Sequence, residues 1–163
     1  MRSVAICWAV LFAFFCSNAV QAELVYHRNA EPRYGSGSDN AEEEVLRIVN
    51  EERMRHGLNP LEVNARLAQV ARYKAEDIRD NDYFGHHSPI FGSPFDMLDM
   101  FDIGFRKAGE NLALGHTTAQ HAMEDWMASE GHRSNILGSY TEIGIAALEG
   151  PRGKIWVKMF IAP

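Results

Sequence analysis

The chain has 163 residues, with 16 Lys and Arg against 22 Asp and Glu, a formal net charge of −6, and two cysteines. An acidic chain without a basic stripe is a poor match for nucleic acid or anionic lipid headgroups, which excludes those partners. Cys7 and Cys16 both fall within the first 22 residues, so the remainder has no disulfide framework and must be stabilised by packing.

Those first residues, MRSVAICWAVLFAFFCSNAVQA, hold one basic residue, an apolar run from Val4 to Phe15, and an ending at Val20, Gln21 and Ala22. The pattern predicts a secretory signal peptide, 1–22, cleaved after Ala22. The run is too short to span a bilayer, and no transmembrane segment is expected in the mature chain. Phe14 and Phe15 stand where a lipoprotein signal has small residues, which argues against a lipid anchor on Cys16. Loss of Arg2 with the signal leaves 15 basic residues (16 − 1) against 22 acidic, a net charge of −7. The mature chain is expected to be secreted, or periplasmic if the source is Gram-negative.

Residues 23–40 mix Pro, Gly and Ser without periodicity and read as a flexible leader, leaving 41–163 as one domain. At its start Asn40 offers a cap with Glu43 three residues on, and Val45, Ile48, Val49 and Glu52 recur at helical spacing up to Gly57. Pro60 breaks that helix. Asn64 caps a second one, in which Leu67, Ala71, Ala75 and Ile78 form the apolar stripe. The segment YFGHHSP, 83–89, follows, and Ser93 with Pro94 opens a short third helix. Residues 104–115, with glycines at both ends, resemble a loop or a short strand. A fourth helix is predicted from Thr118 to Ser129, with Ala119, Ala122, Met123 and Trp126 on one face, and it stops at SEGHRSNIL. YTEIGIAAL and KIWVKMFIA, joined by EGPRG, predict a closing β-hairpin. Helices first and strands last imply an α+β fold in which helices cover a small, mostly antiparallel sheet.

Most histidines in a sequence are surface residues or satisfied core groups, and His27, His56, His116 and His121 have no context that lifts them above this. His86 and His87 lie in YFGHHSP, His132 lies in EGHRSNIL beside Gly131, and Glu110 lies in AGENL beside Gly109. Two imidazoles and a carboxylate presented from three separate turns form either a metal site or a hydrogen-bonded cluster that fixes loops. Spacing alone favours the structural alternative, because neither HExxH nor paired CxxC is present. Met97, Met100, Met123 and Met127 follow helix faces and read as packing, and Trp126 and Trp156 as core anchors.

FGHHSP, GENL and GHRSNIL, in this order and followed by YTEIGIAA, resemble the bacterial branch of the CAP superfamily, the SCP-like extracellular proteins, over about residues 41–162. The resemblance implies an α-β-α sandwich around a small central antiparallel sheet. It also implies a cavity of two histidines and two glutamates. Carried over residue by residue, these are His86, Glu110 and His132, with His87 turned away. The second glutamate has no direct counterpart: Ser129 stands at its position, three residues after Trp126, and Glu130 is adjacent.

The resemblance implies a ligand-binding or interaction module for a lipid, small molecule or envelope partner. Its cavity comprises His86, Glu110, His132, Ser129, Glu130 and Asn135, with zinc or another divalent cation on His86 and His132. The alternative is a metal-dependent hydrolase acting on peptides or cell-wall material, in which the metal activates water and Glu110 takes its proton. Ser88 sits in no nucleophile elbow, and the mature chain has no cysteine to act as a thiol nucleophile. A third alternative is structural, with Arg133 and Asn135 bracing the loops.

Overall fold

The computed structural model describes residues 41–163. The expected signal peptide and leader, with Cys7, Cys16, His27 and the Asn40 cap, lie outside the described residues.

Helix α1 (Ala41–Arg55) starts with Glu42, Glu43 and Glu44, where the positive end of the helix dipole favours negative charge. Val45, Ile48 and Val49 form its buried stripe, and Arg53 is buried beside them. The Arg53 guanidinium donates to the carbonyls of Asn59, Ile136, Gly138 and Tyr140, at 2.8–3.2 Å. Its rigid fork thus ties the end of α1 to chain more than eighty residues ahead.

A two-residue strand, β1 (Glu62–Val63), leads into α2 (Ala65–Asp80). The start of α2 is fixed as the sequence predicts, with Asn64 Oδ1 accepting from Leu67 N at 2.9 Å. Helix α3 (Pro94–Met100) begins with a reciprocal Ser93–Asp96 capping box and Pro94 in its first turn. Residues 107–114 are a full strand, β2 (Lys107–Leu114), paired along its whole length with β4 (Ile155–Ala162). Its consecutive buried residues from Glu110 to Ala113 show that both faces are covered, which erases the alternation that identifies a strand in sequence.

Helix α4 (Ala119–Ala128) is capped by Thr118, whose hydroxyl accepts from His121 N. Beyond it the expectation of a plain turn is corrected. Ser129 adopts an extended conformation (φ −91°, ψ 123°) that ends α4, and the chain then re-enters helix as α5 (Glu130–Ile136). The acidic Glu130 favours that restart, and Arg133 holds the junction by donating to Met127 O at 3.0 Å. Strands β3 (Glu142–Leu148) and β4 form the predicted hairpin.

The sheet order is β1-β3-β4-β2; the three long strands are antiparallel, and β1 joins β3 in parallel through Glu62–Glu142 and Val63–Ile143. Alternation along each strand sends side chains to two layers. Ile143, Ile145, Trp156 and Phe160 face α1 and α4, with Val45, Val49, Met123 and Trp126. The opposite face of the sheet carries α2, with α3 beside it.

Gly144 sets the spacing of that second layer. A methyl group there would lie 2.2 Å from the backbone carbon of Leu67 and 2.4 Å from Ala68 N, so β3 and α2 meet backbone to backbone. Gly144→Ala is therefore expected to destabilise the domain by about 3 kcal/mol or more, since helix and strand must separate. Gly131, in α5 with no atom within 4 Å of an added methyl, is the control. Gly131→Ala is expected to stabilise by about 0.5–1 kcal/mol, and urea unfolding distinguishes the two.

Candidate functional site

Strand β2 is at the edge of the sheet, and its outward-pointing groups organise the site. Ala108 O accepts from Tyr140 Oη at 3.2 Å, Glu110 O from Asn135 Nδ2 at 3.1 Å, and Leu112 O from Trp126 Nε1 at 2.9 Å. Asn135 Nδ2 also donates to Asn111 Oδ1, and Asn111 Nδ2 to His132 O at 3.0 Å, so α5 is laced to the strand. Gly109 is needed here, because an added methyl would meet Tyr140 Oη at 2.7 Å and Asn135 Oδ1 at 2.8 Å.

Glu110 projects to the α2 side of the sheet, opposite in phase to Asn111. Its side chain is 1% exposed, and Oε1 lies 2.7 Å from His86 Nδ1. The His86 side chain is 55% exposed, so the pair runs from a buried carboxylate to an imidazole that reaches solvent. Accepting from Nδ1–H fixes the tautomer, as a carboxylate partner does for a base or ligand histidine. The Glu110 hydrogen bond also raises the pKa of His86 above its ordinary value, opposed by burial and the charge of Lys74. His132, half-buried on α5, moves the other way: burial lowers it, and the nearby His86 and Lys158 add to the effect.

His86 is held from behind by residues not identified from the sequence. Lys74, fully buried on α2, donates to His86 O and to Tyr83 Oη, both at 2.9 Å. Tyr83 Oη donates in turn to Asp77 Oδ2, and burial followed by that bond pushes the Tyr83 phenol up. Burial pushes the Lys74 amine down, while Glu110 and Asp77 resist the shift. On the other face of the sheet Lys158 is also fully buried, its Nζ 3.5 Å from the centre of the Trp126 ring. Among the described residues, the buried side-chain atoms without a hydrogen-bond partner are Lys158 Nζ and Glu110 Oε2. Both lysines carried a sequence signal. Lys74 falls within the apolar stripe of Leu67, Ala71 and Ile78, and Lys158 interrupts the run KIWVKMFIA.

The remaining candidates separate from this cluster. His87 is exposed and its charge acts on Asp96 at the start of α3. Ser88 is buried, and its Oγ accepts from Ile90 N and Phe91 N, which makes it a loop brace. Ser129 is the junction residue between α4 and α5, and no side-chain capping bond forms there. Glu130 is exposed in the first turn of α5.

A divalent cation would find the right donor chemistry here: His132 is biased to the neutral form, and Glu110 Oε2 is unpartnered. The arrangement does not match. Among the described residues no three His, Cys, Asp or Glu groups gather so as to hold a metal ion, and two buried lysines flank the donors.

The sequence profile of the cysteine-rich secretory protein family, CAP, matches residues 46–160. The chain is 45% identical over 121 residues to the uncharacterized protein YkwD of Bacillus subtilis (strain 168), covering 74% of this chain and 46% of YkwD. Among solved structures it is similar to an extracellular protein containing an SCP domain from Bacillus anthracis str. Ames. That match has a TM-score of 0.69 and 32% identity, over 80% of this chain and 45% of that one. It is also similar to an outer surface protein of Borrelia burgdorferi, with a TM-score of 0.69 and 25% identity, over 78% of this chain and 98% of that one. The chain thus spans about half the length of YkwD and of the Bacillus anthracis protein.

In metal-free buffer, nuclear magnetic resonance titration is expected to place the His86 midpoint above about 6.5 and that of His132 below it. The contribution of His86 to stability is full below that ordinary value and is lost as pH rises through its raised folded value. That of His132 is present above the ordinary value and is lost as pH falls towards its lowered one. Glu110→Gln should bring His86 back down. Coincident midpoints in the unmodified chain would contradict the geometry.

Proposed function

This chain belongs to the cysteine-rich secretory protein family, CAP, and from that premise we propose that it is a secreted ligand-binding or interaction module. Two of its relatives are described as an extracellular protein and an outer surface protein, which supports export. The observation that carries the binding reading is the His86–Glu110 pair. A buried carboxylate orients a half-exposed imidazole, and no activated nucleophile accompanies it among the described residues. The hydroxyl closest to His86 in sequence, that of Ser88, is buried and engaged by backbone N–H groups. His86, Glu110 and His132 form the recognition centre in this proposal. Asn135 positions it by fixing α5 to β2, and Ser129 and Glu130 form its border. The ligand is a lipid, a small molecule or an envelope component.

A second reading, hydrolysis of peptides or cell-wall material, has one observation in its favour. An imidazole with a carboxylate on Nδ1, leaving Nε2 to act, is the arrangement of a general base. A base of this kind can take a proton from water without any further residue of the chain.

The two readings are separated by titrating the chain with small carboxylates, fatty acids and muropeptides while following the imidazole resonances of His86 and His132. Binding predicts saturable shifts at both histidines, lost in His86→Ala and weakened in Glu110→Gln, with the added compound recovered unchanged. Turnover of a muropeptide or peptide, reduced by about 100-fold or more in His86→Ala, would replace the binding reading by the hydrolytic one.

A further inference from the structure

Residues 82–87, the segment that carries His86, make no backbone–backbone hydrogen bond among the described residues. Such bonds end with Asn81 N on Asp77 O and resume with Ser88 N on Gly92 O. A segment without ladder or helix bonds does not set its own conformation, and packing at Gly85 does not set it either, since no atom lies within 4 Å of a methyl added there. Side chains hold the segment instead. At its far end Ser88 is buried, its Oγ accepting from Ile90 N and Phe91 N. At its near end Tyr83 O accepts at 2.8 Å from Arg152, on the turn between β3 and β4, whose guanidinium also meets Asp82 at 3.3 Å. Between these anchors Lys74 Nζ donates to His86 O at 2.9 Å.

Lys74 is an expensive residue for its place. It is fully buried in the stripe of α2 with Leu67, Ala71 and Ile78, where an aliphatic side chain would fill the space without desolvating an amine. Its hydrogen bonds go to a phenol and a backbone carbonyl, both on the segment that carries His86. Tyr83 Oη accepts from Lys74 and donates to Asp77, so the position of the amine is itself fixed from α2. A local breach of the packing rules is the mark of a geometry kept for function. The geometry here is that of His86. Its carbonyl is held by Lys74, and its Nδ1 lies 2.7 Å from Glu110 Oε1, so both the backbone and the ring of a half-exposed residue are set.

We propose that Lys74 and Tyr83 are positioning residues of the recognition centre: the Lys74 amine, steadied by the Tyr83 phenol, fixes the backbone of His86 so that its ring meets Glu110 through Nδ1 and turns Nε2 towards the ligand. The proposal rests on the ligand-binding reading above and names what assembles that site. Glu110 alone sets the ring only if the backbone beneath it is already in place. The buried pair supplies that condition from α2, on the side of the sheet to which Glu110 projects.

The test reads the imidazole tautomer of His86 in long-range proton–nitrogen-15 spectra of the metal-free full chain at a pH of about 8, where an ordinary imidazole is neutral. A free imidazole in water is mainly the Nε2–H tautomer, whereas a carboxylate on Nδ1 selects Nδ1–H. The unmodified chain is expected to show His86 as Nδ1–H. Lys74→Met and Tyr83→Phe, each with native near-ultraviolet circular dichroism, are expected to shift it towards the Nε2–H mixture. In the titration with small carboxylates, fatty acids and muropeptides, the same variants should bind about tenfold more weakly or worse. Val49→Ala, in the core on the opposite face of the sheet, lowers stability and should leave the tautomer as it is. A folded Lys74→Met or Tyr83→Phe with the tautomer and affinity of the unmodified chain would overturn the inference. So would a folded Val49→Ala that loses Nδ1–H as fully as Lys74→Met, because the effect would then follow stability alone. Tyr83→Phe keeps the ring and serves if Lys74→Met fails to fold. Failure of the binding reading shows separately, as absent imidazole shifts when those compounds are added to the unmodified chain, and it removes the recognition role whatever the tautomer.

Discussion

An edge strand leaves every second backbone carbonyl without a ladder partner, and in β2 three such carbonyls are taken by side chains from the layer of α4, α5 and the turn that follows: Tyr140, Asn135 and Trp126. This arrangement occupies outward carbonyls of the edge with side chains of the same chain. It also fixes the distance between α5 and the strand, and with it the placement of His132 relative to Glu110. Because side chains alternate along a strand, the same short stretch of backbone presents Glu110 to one layer and Asn111 to the other. The site is therefore built across an edge, with its carboxylate from one face of the sheet and its second imidazole from the helix on the other.

The electrostatics follow from that placement. His86 and His132 are near enough to influence one another, yet their surroundings push them in opposite directions, His86 up through the Glu110 hydrogen bond and His132 down through burial. Paired titratable groups whose environments diverge in this way are a recurrent mark of functional sites. Glu110 is thus an orienting group for His86, and its charge also acts on the buried Lys74.

Much of the architecture is legible from short-range chemistry. Asn64, Ser93 and Thr118 cap the helices that the spacing of apolar residues predicts, and the hairpin of β3 and β4 falls where alternating Ile and Val residues meet a Gly-Pro turn. Two features are hidden for physical reasons. Strand β2 is covered on both faces and so lacks a period of two, and α5 is a seven-residue helix with one buried residue, Ile136, too short to show a stripe. Of the site, the motifs around His86, Glu110 and His132 stand out through their glycine-framed context, and the structure brings His86 and Glu110 into direct contact. Lys74 and Lys158 leave a signal only as interruptions of an apolar pattern, and Asp77 and Tyr83 leave none. In this chain those interruptions are the interior of the site.

Arg53 bears on how that interior comes into being. Its guanidinium joins the end of the first described helix to carbonyls at the C-terminus of α5 and the turn beyond, across 83 to 87 residues of chain. Closing a loop of that length carries an entropic cost that local helix formation does not. Helices α2 and α4 carry their own caps and stripes, whereas α5 is held by hydrogen bonds to β2 and, at its C-terminus, by Arg53. His132 is placed by contacts from β2 at one side and by the anchoring of α5 at the other, so the complete site is a property of the finished fold and belongs to no isolated segment of it.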